Sequence, residues 1–290
     1  MLRIRLSYSG VSTYEKCPLS YRFQYIDGLK IEPSPYLSFG RSLHNALEWL
    51  YGRDVPEPPT LEELLSYLDS CWSDEGYSDA DEESSYLRRG RDVLTQFYHK
   101  NVRDFRLPLA VEERFELDMD DFILSGVIDR VDRHSDGSYE IIDYKSGRRP
   151  PELRRLREDL QLPIYQLACR EVWGIIPSKL TFYYLVPNQR YSTKPQDEAG
   201  LARVKERLDR AAESISDGIF TATPNRLCPW CSFEDLCPQR IAASDPSESY
   251  RTRHRALLRR KDKLEDVISR LEDEMVKEGI AICEEKSSSS

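Results

Sequence analysis

Three short segments rich in β-branched and aromatic residues lie in the middle of this chain and limit the folds that it can adopt. They cover residues 109–118, 122–131 and 138–144, and the sequence HSDG before the third is typical of a hairpin turn. Residues 179–186 (KLTFYYLV) form a further segment, whose nearly continuous apolar run is typical of a strand buried on both faces. The sequence therefore predicts a central β-sheet.

Helical patterns surround these strands. We predict helices at residues 11–26, 39–51, 61–72, 86–105, 152–173, 198–217 and 250–280. Helices thus precede the first three strands, separate them from the last one and follow it. This order predicts an α/β fold with a mixed sheet flanked by helices.

The length and composition are those of a globular protein. A chain of 290 residues with 39% hydrophobic content can bury a core without disulfide bonds. The sequence contains no run of about 18 apolar residues, so we expect no transmembrane segment. Its N-terminus lacks the apolar stretch of a secretion signal, and we therefore expect a cytoplasmic protein with reduced cysteines.

The charge is distributed unevenly along the chain. The net charge is −9, but residues 54–87 hold eleven acidic and no basic residues, so the remainder carries +2. Residues 145–157 and 251–263 are strongly basic, with six and seven basic residues against one acidic residue each. Such segments are either solvated surfaces or surfaces that bind phosphate groups.

Two carboxylates and a lysine are expected to meet at one end of the predicted hairpin. Asp143 and Lys145 are two positions apart in a strand, so they point to the same face, and the hairpin brings Asp129 beside Asp143. Carboxylates bind hard cations such as Mg²⁺ or Mn²⁺, and Lys145 would orient or deprotonate a water molecule there. An isolated D-x-K triplet is usually a surface salt bridge, but the apolar neighbours favour a site.

These residues resemble the PD-(D/E)xK nuclease superfamily, and in particular its RecB-type family. That family includes the nuclease domains of RecB and AddB helicase–nucleases and CRISPR-associated adaptation nucleases. The matching residues, in chain order, are Gly40 and His44 in G-x-x-x-H, Gly126 and Asp129 in G-x-x-D, Asp143 and Lys145 in D-x-K, and Gln161 and Tyr165 in Q-x-x-x-Y.

The resemblance implies a restriction-endonuclease-like core and an Mg²⁺- or Mn²⁺-dependent deoxyribonuclease, which we expect to be an exonuclease. It implies that the catalytic lysine is Lys145, that Gln161 and Tyr165 position the substrate or this lysine, and that the metal ligands are His44, Asp129, Asp143 and the carbonyl oxygen of Tyr144. Val111, Glu112 and Phe115 are similar to the family's V-E-x-x-F pattern, although strand alternation leaves the direction of Glu112 open.

Five arginines follow the D-x-K motif. We expect them to hold DNA phosphates near the metal; they are Arg148, Arg149, Arg154, Arg155 and Arg157.

The spacing of the cysteines predicts a second metal centre. Cys228, Cys231 and Cys237 form a C-x2-C-x5-C pattern, and Cys17 is the candidate for a fourth ligand because Cys17, Cys228 and Cys237 are each followed by proline. By ligand chemistry alone, a zinc ion fits four thiolates nearly as well as an iron–sulfur cluster does.

The sequence STYEKCPLSYRFQY around Cys17 resembles the iron–sulfur branch of the RecB-type family. The resemblance implies that these four cysteines bind a [4Fe–4S] cluster, which connects the two ends of a nuclease domain at residues 1–240. Within that domain we expect an acidic helical insertion at 54–105, and after it a charged helical extension at 241–290.

Two other functions fit parts of the sequence. One is a catalytically silent DNA-binding or assembly subunit of a helicase–nuclease complex, and the other is a zinc-stapled interaction protein. No predicted ligand or lysine is missing, which favours the enzyme. The resemblance implies that it acts on single-stranded DNA or DNA ends in repair, recombination or related processing. Since the sequence has no G-x-x-x-x-G-K-[ST] phosphate loop, unwinding would come from a separate helicase or another recombination protein.

Overall fold

The computed structural model describes residues 3–53, 55, 57–103, 105–240 and 246–277. Within these residues, a mixed sheet contains β1 (Ile4–Leu6), β2 (Ala110–Asp118), β3 (Phe122–Arg133), β4 (Tyr139–Lys145), β5 (Lys179–Tyr184) and β6 (Gln189–Thr193). The pairs β1–β3 and β4–β5 are parallel, and the pairs β2–β3, β3–β4 and β5–β6 are antiparallel.

Strand β3 is the point at which the sheet divides. One of its edges pairs with β2 from residue 123 to residue 131. The other edge pairs with β1 at residues 122–124 and with β4 only at residues 130–133. Strands β3 and β4 therefore part after the pair Arg130–Ile142, and we call this opening the β3–β4 fork.

Helices cover both faces of the sheet. They are α1 (Tyr8–Lys16), α2 (Pro18–Tyr21), α3 (Pro35–Tyr51), α4 (Leu61–Ser70), α5 (Ala80–Asn101), α6 (Leu153–Glu158), α7 (Gln161–Trp173), α8 (Glu198–Ser216) and α9 (Pro246–Lys277). Helices α3, α4 and α5 bury residues such as Leu47 and Phe97 against one face of the sheet. Helices α1, α7 and α8 bury residues such as Ile164 and Leu208 against the other face.

The predicted α/β fold with a mixed sheet is confirmed, and the predicted strands differ from the observed ones by only a few residues. The single helix predicted at 152–173 is wrong. The backbone is extended at Asp159 (φ −67°, ψ 136°), so α6 ends there and α7 begins as a separate helix, and the Gln161 N–H donates to Asp159 Oδ1 at 2.8 Å. The predicted C-terminal helix is observed at Pro246–Lys277, whereas residues 241–245 and 278–290 lie outside the described residues.

Among the described residues, no helix has both the length and the apolar character that crossing a membrane requires.

Candidate active site

Asp129 occupies the β3–β4 fork. The residue is 8% exposed, and Oδ2 accepts the backbone N–H of Tyr144 at 2.7 Å. Beyond the last β3–β4 pair, the Tyr144 amide has no backbone carbonyl of β3 to bond to. The carboxylate of Asp129 accepts its hydrogen bond instead. The end of β4 and the middle of β3 are held together by this carboxylate.

Asp143 and Lys145 extend from the same face of β4, as predicted from their spacing. Lys145 Nζ lies 2.7 Å from Asp143 Oδ2 and donates a hydrogen bond to Gln161 Oε1 at 2.5 Å. Gln161 Nε2 in turn donates to the hydroxyl oxygen of Tyr165 at 2.9 Å. The D-x-K and Q-x-x-x-Y residues are therefore one continuous polar chain between β4 and α7.

His44 reaches the fork from α3. Its Nε2–H donates to the carbonyl oxygen of Tyr144 at 3.0 Å, which leaves Nδ1 directed at Asp129 Oδ2 (3.6 Å) and Glu112 Oε1 (3.9 Å). A hydrogen bond of this kind, from one ring nitrogen to a backbone carbonyl, fixes the histidine tautomer in many metal sites. Gly40 allows the close approach, because a Cβ at this position would lie 2.9 Å from Ser146 Oγ.

Glu112 joins the site because the backbone of β2 departs from regular alternation. Val111 packs on the face covered by α3–α5, whereas Phe115 is buried on the opposite face, although residues four apart in a regular strand share a face. Glu112 has a φ of +48°, in the left-handed region, and the strand changes phase there. Such a conformation costs about 1–3 kcal/mol, and the sequence gives no signal for it.

Gly126 has a packing role in the same region. A Cβ on Gly126 would lie 2.7 Å from the ring of Phe115 on the neighbouring strand, so the missing side chain makes room for this ring. The Phe115 ring packs edge-on against Tyr165, with 6.1 Å between ring centroids. The glycine thus helps to hold the end of the polar chain from Lys145.

The electrostatics of the site reflect three carboxylates in a small volume. Burial, reinforced by the charge of Asp143, raises the pKa of Asp129 to about 7. Burial also raises the pKa of Asp143, against the opposing effect of Lys145. Burial lowers the pKa of His44, but Glu112 and Asp129 more than offset this and raise it to about 9. In the same way, Asp143 outweighs burial and raises the pKa of Lys145, which is therefore a cation at neutral pH.

The donor atoms fit a divalent cation. Within the described residues, one ligand atom each from His44, Glu112 and Asp129 lie within 4.8 Å of one another, and no other such trio of histidine, cysteine or acidic residues is found. Asp143 Oδ2 is buried, and its close neighbour is the Lys145 ammonium at 2.7 Å. Imidazole and carboxylate ligands suit Mn²⁺, and carboxylates suit Mg²⁺. The sequence left the direction of Glu112 open, and the structure places its carboxylate beside His44 and Asp129.

The four predicted cysteines come together at a second location. Cys17 follows α1, and Cys228, Cys231 and Cys237 lie in two short helical turns at the other end of the domain. All four line one open cleft of about 500 Å³, and they stand beside the buried residues Leu19, Phe23, Phe233, Leu236 and Ala256. The structure thus brings together cysteines from both ends of the domain, as the sequence predicted.

The five arginines after Lys145 lie on an exposed surface. Leu156 is buried and anchors α6, which carries Arg154, Arg155 and Arg157. Arg154 is paired with Glu158 at 2.8 Å, whereas Arg157 takes part in no ion pair among the described residues. The sequence did not identify Asp159, whose Oδ2 accepts a hydrogen bond from Tyr8 at 2.7 Å and whose Oδ1 supports Gln161.

Relatives of the chain have been found by sequence and by structure. A protein of Mycobacterium phage D29, named Gene 69 protein, is 25% identical over 82% of this chain and 99% of its own length. One subunit of the ATP-dependent helicase/deoxyribonuclease of Streptococcus uberis is 29% identical over 61% of this chain but only 17% of its own length. The structure of a protein from Eubacterium rectale, provisionally named an exonuclease, has a TM-score of 0.53 at 11% identity and covers 83% of this chain and 90% of its own.

The family profile described as the PD-(D/E)XK nuclease superfamily matches residues 5–238, which include the whole sheet and the polar residues of the fork. Members of this superfamily use divalent metal ions, and the trio of His44, Glu112 and Asp129 fits one. The chain belongs to the PD-(D/E)XK nuclease superfamily.

Proposed function

We propose that this protein is an Mg²⁺- or Mn²⁺-dependent deoxyribonuclease that hydrolyses phosphodiester bonds in single-stranded DNA or at DNA ends. One observation carries the proposal: His44, Glu112, Asp129, Asp143 and Lys145 converge at the β3–β4 fork. An exonuclease in DNA repair or recombination fits best, because the solved relative is provisionally named an exonuclease and the streptococcal relative belongs to a helicase/deoxyribonuclease.

His44, Glu112, Asp129 and Asp143, together with the carbonyl oxygen of Tyr144, are the groups that would hold the cation. When bound, a divalent cation activates water and neutralises negative charge that develops on the phosphate. The buried carboxylates supply the negative charge that such an ion needs, and the raised pKa of Asp129 is the cost of holding them together without one.

Lys145 acts in this proposal as a positioned cation. Its ammonium is held by Asp143 and Gln161, and these two contacts leave one of its three protons to donate to a water molecule or the substrate. There it can orient a water molecule and stabilise the charge of the attacked phosphate. Tyr165 accepts from Gln161 and keeps its own hydroxyl proton, because burial raises its pKa. Gln161 and Tyr165 thus position the lysine and donate to the substrate.

The exposed arginines Arg148, Arg149, Arg155 and Arg157, with Arg154, would bind the phosphates of the DNA on either side of the cleaved bond.

We infer that the four cysteines bind a [4Fe–4S] cluster. Two observations support this proposal: Cys17 and the C-x2-C-x5-C residues line one cleft, and the sequence around Cys17 resembles the iron–sulfur branch of the RecB-type family. A zinc ion is the alternative occupant, since four thiolates also suit zinc.

The proposed domain boundaries follow the same evidence. The nuclease domain spans residues 1–240, with the acidic helical insertion at 54–105, and the helical extension spans 241–290. The family match at 5–238 supports the first boundary, and α9 supports the second. A helicase is the proposed partner, because the streptococcal relatives carry the matched segment in a protein named as part of a helicase/deoxyribonuclease.

Cleavage of end-labelled single- and double-stranded DNA by anaerobically purified protein tests the function. We expect cleavage with Mg²⁺ or Mn²⁺, no cleavage with EDTA, and a loss of at least about a hundredfold in Lys145→Ala. Lys205→Ala is the matched control, because Lys205 is a half-buried lysine on α8, 3.8 Å from Glu171 and outside the fork. Undiminished cleavage by Lys145→Ala would remove the lysine from the proposal, and folded, metal-replete wild type without activity would favour the catalytically silent subunit.

A further inference from the structure

A cavity of about 660 Å³ lies on the face of the sheet that carries Asp143 and Lys145. It is bounded by α6, the start of α7 and β6, and its lining includes Arg157, Asp159, Leu162, Tyr191, Thr193 and Lys194. A volume of this size is typical of sites for small organic ligands. The residues that β6 contributes to this lining have no role in the proposed chemistry.

The cavity adjoins the candidate active site across one row of the sheet. Asp143 on β4 is paired with Phe182 on β5, and Phe182 is paired with Tyr191 on β6. Neighbouring strands are about 4.8 Å apart, so Tyr191 lies about 10 Å from Asp143. Phe182 bridges the two places, since Lys145 Nζ lies 5.3 Å from the centre of its ring. A DNA strand that is bound at the carboxylates of the fork would therefore reach the cavity within one or two nucleotides.

Tyr191 gives the cavity a fixed aromatic wall. The residue is half-buried, and its ring packs edge-on against Tyr184, with 5.5 Å between centroids. Its hydroxyl donates to Gln189 Oε1 at 2.7 Å, which fixes the ring from its polar end. A rigid aromatic ring that faces an open cavity is suited to stacking with a nucleobase.

Two unpaired cations flank this wall. Arg157 and Lys194 are exposed, and neither belongs to an ion pair among the residues that the structure describes. Asp159 is the carboxylate of the lining, but Oδ1 accepts from the Gln161 amide and Oδ2 accepts from Tyr8, so both oxygens are already bonded within the protein. The cavity therefore offers an aromatic surface with positive charge at its rim.

We propose that this cavity binds the nucleotide next to the cleaved phosphodiester, with its base against Tyr191 and its phosphate between Arg157 and Lys194. The inference rests on the proposed nuclease function and adds a base-binding subsite to it. The lining makes stacking the main interaction, so the subsite accepts any base and is expected to prefer a single strand.

Oligothymidylates with one abasic site, moved stepwise along the strand, test the subsite. We expect wild type to cleave about 5- to 100-fold more slowly when the abasic site occupies one particular position beside the cleaved bond. Tyr191→Ala should cleave the intact oligonucleotide more slowly by a similar factor and be insensitive to an abasic site at that position. Tyr250→Ala, which alters an exposed tyrosine on α9, should retain the wild-type profile. A Tyr191→Ala protein with the wild-type profile overturns the proposal.

Charge reversal tests the rim. Arg157→Glu and Lys194→Glu should each raise KM for the intact oligonucleotide about tenfold and leave kcat nearly unchanged. Arg210→Glu is the matched control, because Arg210 is an exposed arginine on α8 paired with Glu206. Unchanged KM in both rim variants contradicts the assigned phosphate contacts.

The outcomes separate the subsite from the nuclease function. Cleavage that is lost in Lys145→Ala but shows no sensitive abasic position overturns the subsite alone. If wild type cleaves nothing, the nuclease function fails, and binding of a fluorescent oligothymidylate in the presence of Ca²⁺ still decides the subsite. In that case equal affinities of wild type and Tyr191→Ala overturn it, and a weakening of about fivefold or more supports it.

Discussion

At the scale of single residues, acidic groups outnumber basic ones around the β3–β4 fork. Among the described residues, His44 and Lys145 are the cationic groups beside Glu112, Asp129 and Asp143. Burial and the charge of Asp143 raise the pKa of Asp129, and the effect of burial on His44 is outweighed by Glu112 and Asp129, which raise its pKa. Each raised pKa means that the folded, metal-free protein binds a proton more tightly than the unfolded chain does. A bound cation replaces these protons, so metal affinity and pH are linked in this site.

Glu112→Gln removes one of the three charges with little change in shape. We expect its affinity for Mn²⁺ to fall at least about tenfold, because a carboxylate oxygen of the trio with His44 and Asp129 is lost. Isothermal titration calorimetry measures this directly. Glu113→Gln is the matched control, since Glu113 is the next residue of β2 and is exposed. Equal affinities in the two variants would exclude Glu112 as a ligand.

The effect of metal on stability should increase with pH. The pKa of Asp129 rises from 3.8 to about 7, so its contribution to stability is complete below pH 4 and is lost as the pH rises through 7. The pKa of His44 rises from 6.5 to about 9, so its contribution is complete below pH 6.5 and is lost as the pH rises through 9. Both changes destabilise the metal-free protein towards alkaline pH and free the ligands for a cation.

Thermal melts with EDTA and with Mn²⁺ measure this linkage. We expect the increase in Tm produced by Mn²⁺ to be larger near pH 9 than near pH 6. In His44→Gln the imidazole no longer titrates, so between pH 7 and pH 9 the increase should change less than in wild type. An increase in wild type that is the same at both pH values would contradict the assigned titrations.

At the scale of secondary-structure elements, close contacts fix how helices and strands meet at the fork. Gly40 lets α3 approach the end of β4, and Gly126 lets the Phe115 ring cross from β2 over β3 to Tyr165 on α7. Both glycines belong to motifs that the sequence analysis identified, but their role there is packing. The two glycines allow these elements to approach closely, and the polar side chains of the site can therefore contact one another.

Gly126→Ala should displace the Phe115 ring, because the new Cβ would stand 2.7 Å from it. Such overpacking costs about 1–3 kcal/mol, and chemical denaturation measures the change in the free energy of unfolding. In Gly147→Ala the added Cβ has only an ordinary contact, at 3.8 Å from Tyr184, so we expect a change within about 0.5 kcal/mol. Equal stabilities of the two variants would mean that Phe115 moves aside without cost.

Strands with a regular sequence pattern are predicted correctly. Prediction fails where the pattern is interrupted or the strand is too short. The alternation and composition of β2 to β5 predict these strands correctly. Strand β1 has three residues and β6 is a polar edge strand, so neither gives a clear signal. The direction of Glu112 depends on one left-handed residue within a strand, and such a conformation follows from the packing of the surrounding elements.

In the candidate site, too, some features have a signal in the sequence and others depend on packing. Strand and hairpin geometry predicted that Asp129, Asp143 and Lys145 meet, whereas His44, Gln161 and Tyr165 were expected there only because the motifs resemble the RecB-type family. The structure brings all six together. The break between α6 and α7 at Asp159 and the cavity beside β6 depend on contacts between distant parts of the chain. Single-sequence patterns carry no information on such contacts.

At the scale of the whole molecule, the cysteines join the beginning and end of the nuclease domain. Cys17 and Cys228 are separated by most of the sheet and by helices α3 to α8 in sequence, yet they line the same cleft. The proposed cluster would close a loop of about 210 residues, and in a chain-entropy model such a cross-link is worth about 5 kcal/mol. The lining of the cleft includes none of the fork residues, so the main effect of the cluster is expected on stability.

Cys17→Ser should therefore lose the visible absorption of the cluster and unfold at a clearly lower temperature than wild type. Cys71→Ser is the matched control, because Cys71 lies at the end of α4 and outside the group of four. Absorption spectra and thermal melts of anaerobically purified proteins measure both effects. Full absorption and an unchanged Tm in Cys17→Ser would exclude this cysteine as a ligand.

The hydrogen bond from the Tyr144 amide to Asp129 has a consequence for the exchange of that amide with solvent deuterium. Most amides in a sheet are protected by a carbonyl of the next strand, but this one depends on a side chain that titrates. Its exchange rate should rise sharply in Asp129→Ala, while the amide of Ile142, which lies within the paired part of β4, keeps its rate. A single backbone proton thereby becomes a reporter of the state of the fork, readable without any substrate.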